Sequence, residues 1–262
     1  PLGVPVRVWP RAPITMMKFH FTFDKNIKSQ KLKKFLLKKH KNIPVKNAEI
    51  IIVAGGDGFM LNTIKKYIIY KKPFYGINCG SFGFLMNKYD SKDLEKKIKN
   101  AKKTIINPLQ ITSYNKNHKS NLIAVNEVSL FRQSRQTASL RIKVEKKIII
   151  KKLTSDGVLI STPAGSTAYN LSANGPILSL NSGKLAVTPI SPFRPRRWKG
   201  KIISNSLKIK LINLDPRKRP VAAVADNFEI RNIKSLTIKT NKNINIVLLH
   251  DPKRSLEKRI KI

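Results

Sequence analysis

The chain is poor in cysteine, in histidine and in long apolar runs. Cys79 is the single cysteine among 262 residues, so an internal disulfide is excluded, and the sequence suits a reducing compartment such as the cytoplasm. The longest apolar runs are far shorter than the ~20 residues that a membrane-spanning helix needs. The 4 histidines lack the spacing of metal ligands, which argues against a zinc site. No G-x-x-x-x-G-K-[ST] motif is present either, which excludes a phosphate loop of the Walker type.

Acidic residues are also scarce. The chain has 14 Asp and Glu residues against 53 Lys and Arg residues, for a formal net charge of +39. Such a charge attracts polyanions at low salt and steers anionic substrates inward. The basic residues are spread along the whole chain, however, and no zinc-finger spacing or aromatic RNA-binding strand accompanies them. We therefore expect neither a specific nucleic-acid partner nor a membrane partner. A non-catalytic protein that binds polyanions or nucleotides stays open as an alternative.

Small and hydroxyl residues are concentrated in one stretch, DGVLISTPAGSTAYNLSANGP at residues 156–176. Small residues let the backbone approach a ligand closely, and hydroxyl and backbone N–H groups supply directional hydrogen bonds. The pattern predicts a ligand site. The alternative is a tight strand-to-helix connection with ordinary turn chemistry.

A second glycine turn ends a predicted buried strand. The continuous apolar run at residues 50–54 is followed by GGDG at residues 55–58 and then by a helical apolar pattern. Such a turn places backbone donors and a helix N-terminus at the carboxyl edge of a sheet, which suits phosphate. Asp57 would be out of place beside an anion unless its carboxylate handles a hydroxyl proton, or a Mg²⁺ ion that carries the phosphate charge.

Two more motifs lie between these. GINCGSFGFL at residues 76–85 again places a glycine turn after a short apolar strand. Asn126-Glu127 lies within a strand-like segment, Leu122 to Phe131. An adjacent amide and carboxylate are common on strand surfaces, so that pair alone indicates little.

In their order along the chain, these four motifs resemble those of NAD kinases, and the resemblance extends from about Phe19 to Leu249. GGDG is shared with lipid kinases, which remain an alternative, but the motifs at 76–85 and 161–176 are far more specific. The segment TPISPFRPRRW at 188–198 resembles that of α-proteobacterial members. The resemblance implies a transferase that moves the terminal phosphoryl group of ATP, or of polyphosphate, to the 2′-hydroxyl of the adenosine ribose of NAD, giving NADP.

The resemblance also implies roles for individual residues. Asp57 is implied as the catalytic base that accepts or orients the 2′-hydroxyl proton. A phosphate-donor loop is implied at Gly55, Gly56, Gly58, Asn78 and Gly80. The residues implied in NAD binding are Asp57, Gly58, Asn126, Glu127, Thr154, Asp156, Ala164, Thr167, Ala168, Tyr169, Asn170, Leu171, Ser172 and Asp226. No fixed protein ligand for a metal is implied, because Mg²⁺ or another divalent cation would be bound through the phosphates of the nucleotide.

Two positions depart from the family pattern. Phe59 follows GGDG where the family usually has Thr, so a hydroxyl that could contact phosphate or metal is missing. Thr154 stands where many relatives carry Arg, two residues before Asp156. We expect one of the nearby lysines to replace that cation. Arg194, Arg196 and Arg197, threaded with prolines and followed by Trp198, are candidates to contact phosphate or a neighbouring subunit.

The predicted fold class is an α/β N-terminal Rossmann-like domain followed by a β-rich, sandwich-like C-terminal domain. Residues 1–16 are predicted to be a disordered extension, because four prolines interrupt them. The α/β domain is expected at 17–105 with residues 243–262 returning to it, and the β-rich, NAD-binding domain at 106–242. Helices are expected from about Ser29 to Lys39, and after a cap at Ser91. The family forms homodimers and homotetramers, so a homo-oligomer is expected.

Overall fold

The computed structural model describes residues 17–81, 83–90, 93–115 and 118–252. The predicted extension at 1–16, the predicted cap at Ser91 and the end of the predicted return, 253–262, lie outside the described residues, as does Phe82 of the second glycine turn. Among the described helices, none is long and apolar enough to cross a membrane.

The first sheet has the strand order β1-β2-β3-β17-β4. Neighbouring strands are parallel from β1 to β17, and β4 pairs with β17 in the antiparallel sense. The strands are β1 (Phe19–Phe23), β2 (Ile50–Gly55), β3 (Phe74–Asn78), β4 (Lys102–Ile106) and β17 (Ile246–His250). The last described strand, β17, thus pairs with β3 and β4, although the whole β-rich part separates it from them in sequence.

Helices pack on both faces of this sheet because β2 alternates its side chains between them. Ile51 and Val53 share a buried cluster with α2 (Asp57–Tyr67), whereas Ile50 and Ile52 lie in a cluster with α1 (Ile27–Lys39) and α3 (Leu94–Lys99). The side chain of Asn26 caps α1 by accepting a hydrogen bond from the Ser29 backbone N–H. The helix therefore begins two residues before the predicted Ser29, since the cap lies at Asn26.

Two antiparallel sheets form the β-rich part. Their strand orders are β12-β11-β10-β7-β14-β15 and β6-β5-β16-β13-β8-β9. Their inner faces share one buried cluster, in which Leu130 and Val158 of the first sheet pack with Leu211 and Leu236 of the second. The strands are β5 (Leu109–Tyr114), β6 (Lys119–Ala124), β7 (Glu127–Arg132), β8 (Ala138–Val144), β9 (Lys147–Ser155), β10 (Gly157–Ser161), β11 (Lys184–Ile190), β12 (Lys201–Ser204), β13 (Ile209–Asn213), β14 (Val221–Ala225), β15 (Phe228–Ile230) and β16 (Ser235–Thr240). The predicted fold class, an α/β part followed by a β-rich sandwich, is confirmed.

The two parts share a buried cluster at the glycine turns. Val53 and Met60, from β2 and α2, lie in the same cluster as Val125 and Ala164 from the β-rich part. Burial of apolar surface is the dominant favourable term in packing. This cluster therefore holds the GGDG turn against the segments that carry Asn126 and the long glycine motif.

Candidate active site

Asp57 is the first residue of α2, directly after the strand β2. Its two carboxylate oxygens accept hydrogen bonds from the backbone N–H groups of Phe84 (2.6 Å) and Leu85 (2.9 Å). These donors belong to the second glycine motif, so the loop after β3 holds the carboxylate in place. Charge on a carboxylate at a helix N-terminus is also favoured by the helix dipole.

The glycines of the GGDG turn differ in how much free space surrounds their Cα atoms. A Cβ at Gly56 or Gly58 would meet no atom within 4 Å, whereas a Cβ at Gly55 would lie 2.7 Å from the Phe59 ring. The backbone at Gly56 and Gly58 is therefore open to a ligand, at the N-terminus of a helix that suits phosphate. Phe59 packs beneath the turn, so the residue that replaces the family's threonine fills space rather than offering a hydroxyl.

Asn78 and Gly80 shape the neighbouring loop. The Asn78 side-chain oxygen accepts a hydrogen bond from the Gly80 backbone N–H at 2.9 Å, and the Cys79 N–H donates to the carbonyl of Gly55 at 2.7 Å. The two glycine turns are thus tied together by their backbones. Cys79 is buried, and that burial, with a smaller contribution from Asp24, raises its thiol pKa to about 11. A thiol with such a pKa is a poor nucleophile, which agrees with a role in packing.

The sequence predicted that Asn126-Glu127 lies inside one strand. That prediction is wrong, because the chain bends between β6 and β7. The backbone N–H groups of Val125, Asn126 and Glu127 donate to the carboxylate of Asp226 instead of to a neighbouring strand. We call residues 125–127 the Asn-Glu turn. The carboxylate of Asp226, implied in NAD binding from the sequence, is directed at this backbone.

Three polar atoms around this turn are buried without a hydrogen-bond partner in the described part of the chain. They are Asn126 Oδ1, Glu127 Oε2 and Thr167 Oγ1. Most buried polar groups in proteins are hydrogen-bonded, so such a group needs an explanation. The turn and the long glycine motif are in direct contact, since the Thr162 N–H donates to the Asn126 carbonyl at 2.9 Å. Unpaired buried atoms on both segments are what a polar ligand would satisfy.

Glu127 is the titratable group with the clearest perturbation at this turn. Burial, and then the negative charge of Asp226, raise its carboxyl pKa from 4.5 to about 8, while the positive charge of Lys65 acts in the opposite direction. Perturbed pKa values of this kind are concentrated at functional sites.

The long glycine motif folds around Asn170. Its buried amide group donates to the carbonyls of Ser166 and Pro176 and accepts from the Thr188 hydroxyl. Asn170 thus supports the loop from inside. Tyr169, the adjacent residue, is 39% exposed and its ring contacts Phe131 at 5.8 Å between centroids. Leu171 and Ser172 are exposed, Ala164 is buried and Ala168 is half-buried.

Thr154 and Asp156 lie at the other end of β10. Asp156 precedes this strand and Thr162 follows it, so about 20 Å of strand, at ~3.3 Å per residue, separates them. The carboxylate of Asp156 is paired with Arg132, and the backbone of Thr154 forms an antiparallel bridge with Arg194. The cation beside Asp156 is therefore the guanidinium group of Arg132, whereas the contact between Thr154 and Arg194 is made by their backbones. The pairing of Arg132 with Asp156 was not predicted, because the two residues lie far apart in sequence.

Together, a glycine turn at a helix N-terminus, a fixed carboxylate and buried polar atoms without partners among the described residues form a candidate nucleotide-binding site, of the kind that phosphoryl-transfer enzymes use. Residues 125–247 match the family model described as the ATP-NAD kinase C-terminal domain. The NAD kinase of Caulobacter vibrioides is 43% identical over 233 residues, covering 88% of this chain and 90% of that protein. The NAD kinase of Zymomonas mobilis subsp. mobilis is 45% identical over 236 residues, covering 89% and 92%.

Solved structures agree at the level of the fold. The crystal structure of yeast NADH kinase complexed with NADH matches with a TM-score of 0.80 at 19% identity, covering 94% of this chain and 86% of that one. An NAD kinase from Archaeoglobus fulgidus in complex with ATP matches with a TM-score of 0.73 at 22% identity, covering 91% and 95%. The chain belongs to the NAD kinase family, and it is an enzyme that phosphorylates NAD.

Proposed function

We propose that this enzyme transfers the terminal phosphoryl group of ATP to the 2′-hydroxyl of the adenosine ribose of NAD, with polyphosphate as a second donor to be tested. The observation that carries the assignment of the site is the set of buried side-chain atoms on Asn126, Glu127 and Thr167 that have no hydrogen-bond partner among the described residues. A nucleoside offers hydroxyl, amine and ring-nitrogen partners for such atoms. Neither a lipid kinase nor a non-catalytic polyanion binder is favoured by an observation at this site.

In this proposal Asp57 accepts or orients the proton of the 2′-hydroxyl. Backbone donors from Phe84 and Leu85 hold its carboxylate at the start of α2, and positioning is most of what phosphoryl transfer asks of a protein. The open backbone at Gly56 and Gly58 receives the donor phosphates, with Gly55, Asn78 and Gly80 shaping the loop behind them. Asn126 and Glu127 bind NAD through their side chains, and Tyr169 forms an aromatic wall.

Mg²⁺ is proposed to arrive on the phosphates of the nucleotide. Among the described residues, no group of three or more His, Cys, Asp or Glu side chains is placed to hold a metal ion. The carboxylate nearest the proposed phosphate site, that of Asp57, is oriented by backbone N–H groups. When bound, Mg²⁺ would neutralise charge on the phosphates.

A cytoplasmic homodimer or homotetramer is proposed as the working form. The separation of about 20 Å between Asp156 and Thr162 along β10 supports an oligomer, because a second copy could bring its Asp156 and Thr154 to the NAD held by Asn126 and Glu127. A contact between copies through this face would be polar, since the partly exposed side chains of Asp156 and Arg132 form an ion pair there. Light scattering of the purified enzyme measures the number of copies.

The function is tested by NADP formation with NAD and Mg²⁺, supplying ATP and polyphosphate separately. We expect Asp57→Asn to lower kcat by roughly 10²–10⁴-fold, the usual contribution of a general base, while NAD binding measured by calorimetry is retained. Asp215→Asn, a matched change in the β-rich part, should leave kcat unchanged. Wild-type activity in Asp57→Asn would remove the proposed base. No product with either donor, from folded protein that binds NAD, would overturn the catalytic proposal.

A further inference from the structure

Asp226 occupies a backbone conformation that few residues adopt, with φ of 54°, and its side chain is fully buried. Each carboxylate oxygen accepts two hydrogen bonds. Oδ1 accepts from the backbone N–H groups of Asn126 (2.8 Å) and Glu127 (3.3 Å). Oδ2 accepts from the Val125 N–H (2.9 Å) and from the ammonium group of Lys65 (3.0 Å). A carboxylate has about four acceptor positions, so this one is saturated by the Asn-Glu turn and by one lysine.

Lys65 is likewise saturated. Besides Asp226, its ammonium group donates to the Ala225 carbonyl at 2.9 Å and to the side-chain oxygen of Asn227 at 3.3 Å. An ammonium group has three protons, and each of them has an acceptor on the chain that leaves β14. Asn227 adds a second tie to the same helix through its hydrogen bond to Asn62. Fully satisfied buried polar networks are rigid, whereas partly satisfied ones are costly.

Lys65 and Asp57 lie on the same helix. They are eight residues apart in α2, which corresponds to about 12 Å along a helix axis. The helix, the ion pair and the Asn-Glu turn therefore form one continuous polar connection. One end of this connection is the carboxylate at the glycine turn, and the other is the pair of side chains with unpaired buried atoms.

We propose that Lys65 and Asp226 are positioning residues, which set the distance between the Asp57 carboxylate and the NAD held by the Asn-Glu turn. Asp226 fixes the backbone from which Asn126 and Glu127 project, and Lys65 ties that backbone to the helix that begins with Asp57. The inference rests on the proposed roles of Asp57, Asn126 and Glu127. It assigns Asp226 to the support of the site rather than to contact with NAD.

Two independent readouts separate this role from simple stabilisation of the fold. The first is catalytic alignment, because a small misplacement of reacting groups lowers the rate steeply. The second is the pKa of Glu127, which Asp226 raises and Lys65 lowers. Removing Lys65 should therefore move the Glu127 titration to higher pH, and Asp226→Asn should move it to lower pH. A contact that acts on stability alone would move the unfolding temperature without lowering kcat/KM.

The experiment compares Lys65→Met, Lys65→Arg, Asp226→Asn and a control, Lys66→Met, in the full-length enzyme. Lys66 is the exposed neighbour of Lys65 and contacts the Tyr67 ring. Steady-state kinetics with NAD gives kcat and KM, and ¹³C NMR of the Glu127 carboxyl follows its titration. We expect kcat/KM to fall at least about tenfold in Lys65→Met, which equals about 1.4 kcal/mol. Lys65→Arg should recover most of it, and Lys66→Met should match the wild type.

Each possible result either supports or overturns the positioning role of Lys65 and Asp226. Loss of kcat/KM in Lys65→Met, recovery in Lys65→Arg and opposite shifts of the Glu127 titration in Lys65→Met and Asp226→Asn would support it. Unchanged kcat/KM in folded Lys65→Met would overturn it, whatever happens to thermal stability. An Asn126→Ala variant tests the proposed NAD site independently of the positioning role. An unchanged KM for NAD in this variant would overturn the proposed NAD site. A raised KM in this variant, together with unchanged kcat/KM in Lys65→Met, would overturn only the positioning role.

Discussion

Glu127 and Asp226 bring two carboxyl groups together in a buried place. Asp226 is fully satisfied by backbone donors and by Lys65, whereas Glu127 has one oxygen without a partner among the described residues. Like charges in one site cannot both be ionised without cost. Burial and Asp226 therefore keep Glu127 protonated at neutral pH, with a pKa of about 8. A protonated carboxyl can donate as well as accept a hydrogen bond.

The first residue-scale prediction concerns the pH dependence of stability. The Glu127 pKa is about 8 in the folded chain against 4.5 ordinarily, so the folded state holds this proton where the unfolded state has released it. The contribution of Glu127 to the free energy of unfolding is thus complete below about pH 4.5 and is lost as the pH rises towards 8. Each unit of pKa displacement corresponds to about 1.4 kcal/mol.

Glu127→Gln should remove this dependence, because an amide does not titrate. Thermal unfolding of both proteins between pH 5 and pH 9 measures it, with ~1 pH unit steps. We expect the variant to gain stability relative to the wild type as the pH rises through this window. If the difference between the two unfolding temperatures stays constant with pH, Glu127 is not the perturbed group.

At the scale of elements, Gly165 of the long glycine motif and Gly58 in the first turn of α2 have opposite surroundings. A Cβ at Gly165 would lie 2.3 Å from the backbone oxygen of Asn126, whereas a Cβ at Gly58 would meet nothing within 4 Å. Gly165 lets the long glycine motif approach the Asn-Glu turn. Gly58 leaves the start of α2 open, and its φ is not positive, so the fold itself does not require glycine there.

Gly58→Ala and Gly165→Ala should therefore fail in different ways. For Gly165→Ala we expect a loss of stability of about 1–3 kcal/mol, as for other overpacked sites. For Gly58→Ala we expect unchanged or higher stability, by up to about 1 kcal/mol from helix propensity, together with lower kcat/KM for ATP because the methyl group occupies the proposed phosphate site. Thermal unfolding and steady-state kinetics measure both effects. Full activity in Gly58→Ala would contradict the proposed approach of phosphate to this backbone.

The sequence predicted the strands and turns better than their connections. Local patterns sufficed to predict β2 and its glycine turn, because a continuous apolar run followed by GGDG is compatible with few local structures other than a buried strand and a turn. The bend at Asn126 was missed because its cause is Asp226, about 100 residues further along the chain. The role of Lys65 was missed for the same reason, because its contacts lie about 160 residues further along the chain and it looks like one more exposed lysine in a basic helix. Long-range polar pairs leave no periodic trace in a sequence.

At the scale of the whole molecule, the return of the chain joins the two parts. β17 lies between β3 and β4, parallel to β3, so the sheet that carries Asp57 is completed by the last described strand. Strands in the middle of a sheet pair on both sides. Loss of this strand would therefore leave two edges exposed beside the glycine turns, and the α/β part is not independent of the end of the chain.

The net charge of +39 leads to a prediction about salt. Binding of a single-stranded DNA depends on counterion release from many phosphates, so its affinity should fall by roughly 300-fold or more between 50 and 200 mM salt if six or more phosphates are contacted. NAD has few phosphates, and the buried polar atoms of Asn126, Glu127 and Thr167 are shielded from screening. Its affinity should therefore fall by less than about tenfold over the same range. Calorimetry with NAD and fluorescence anisotropy with a labelled oligonucleotide, on the same protein stock, give the two slopes. Equal slopes would mean that NAD is held by the general field of the lysines rather than by the Asn-Glu turn, and the site proposed for this enzyme would have to be sought elsewhere on its surface.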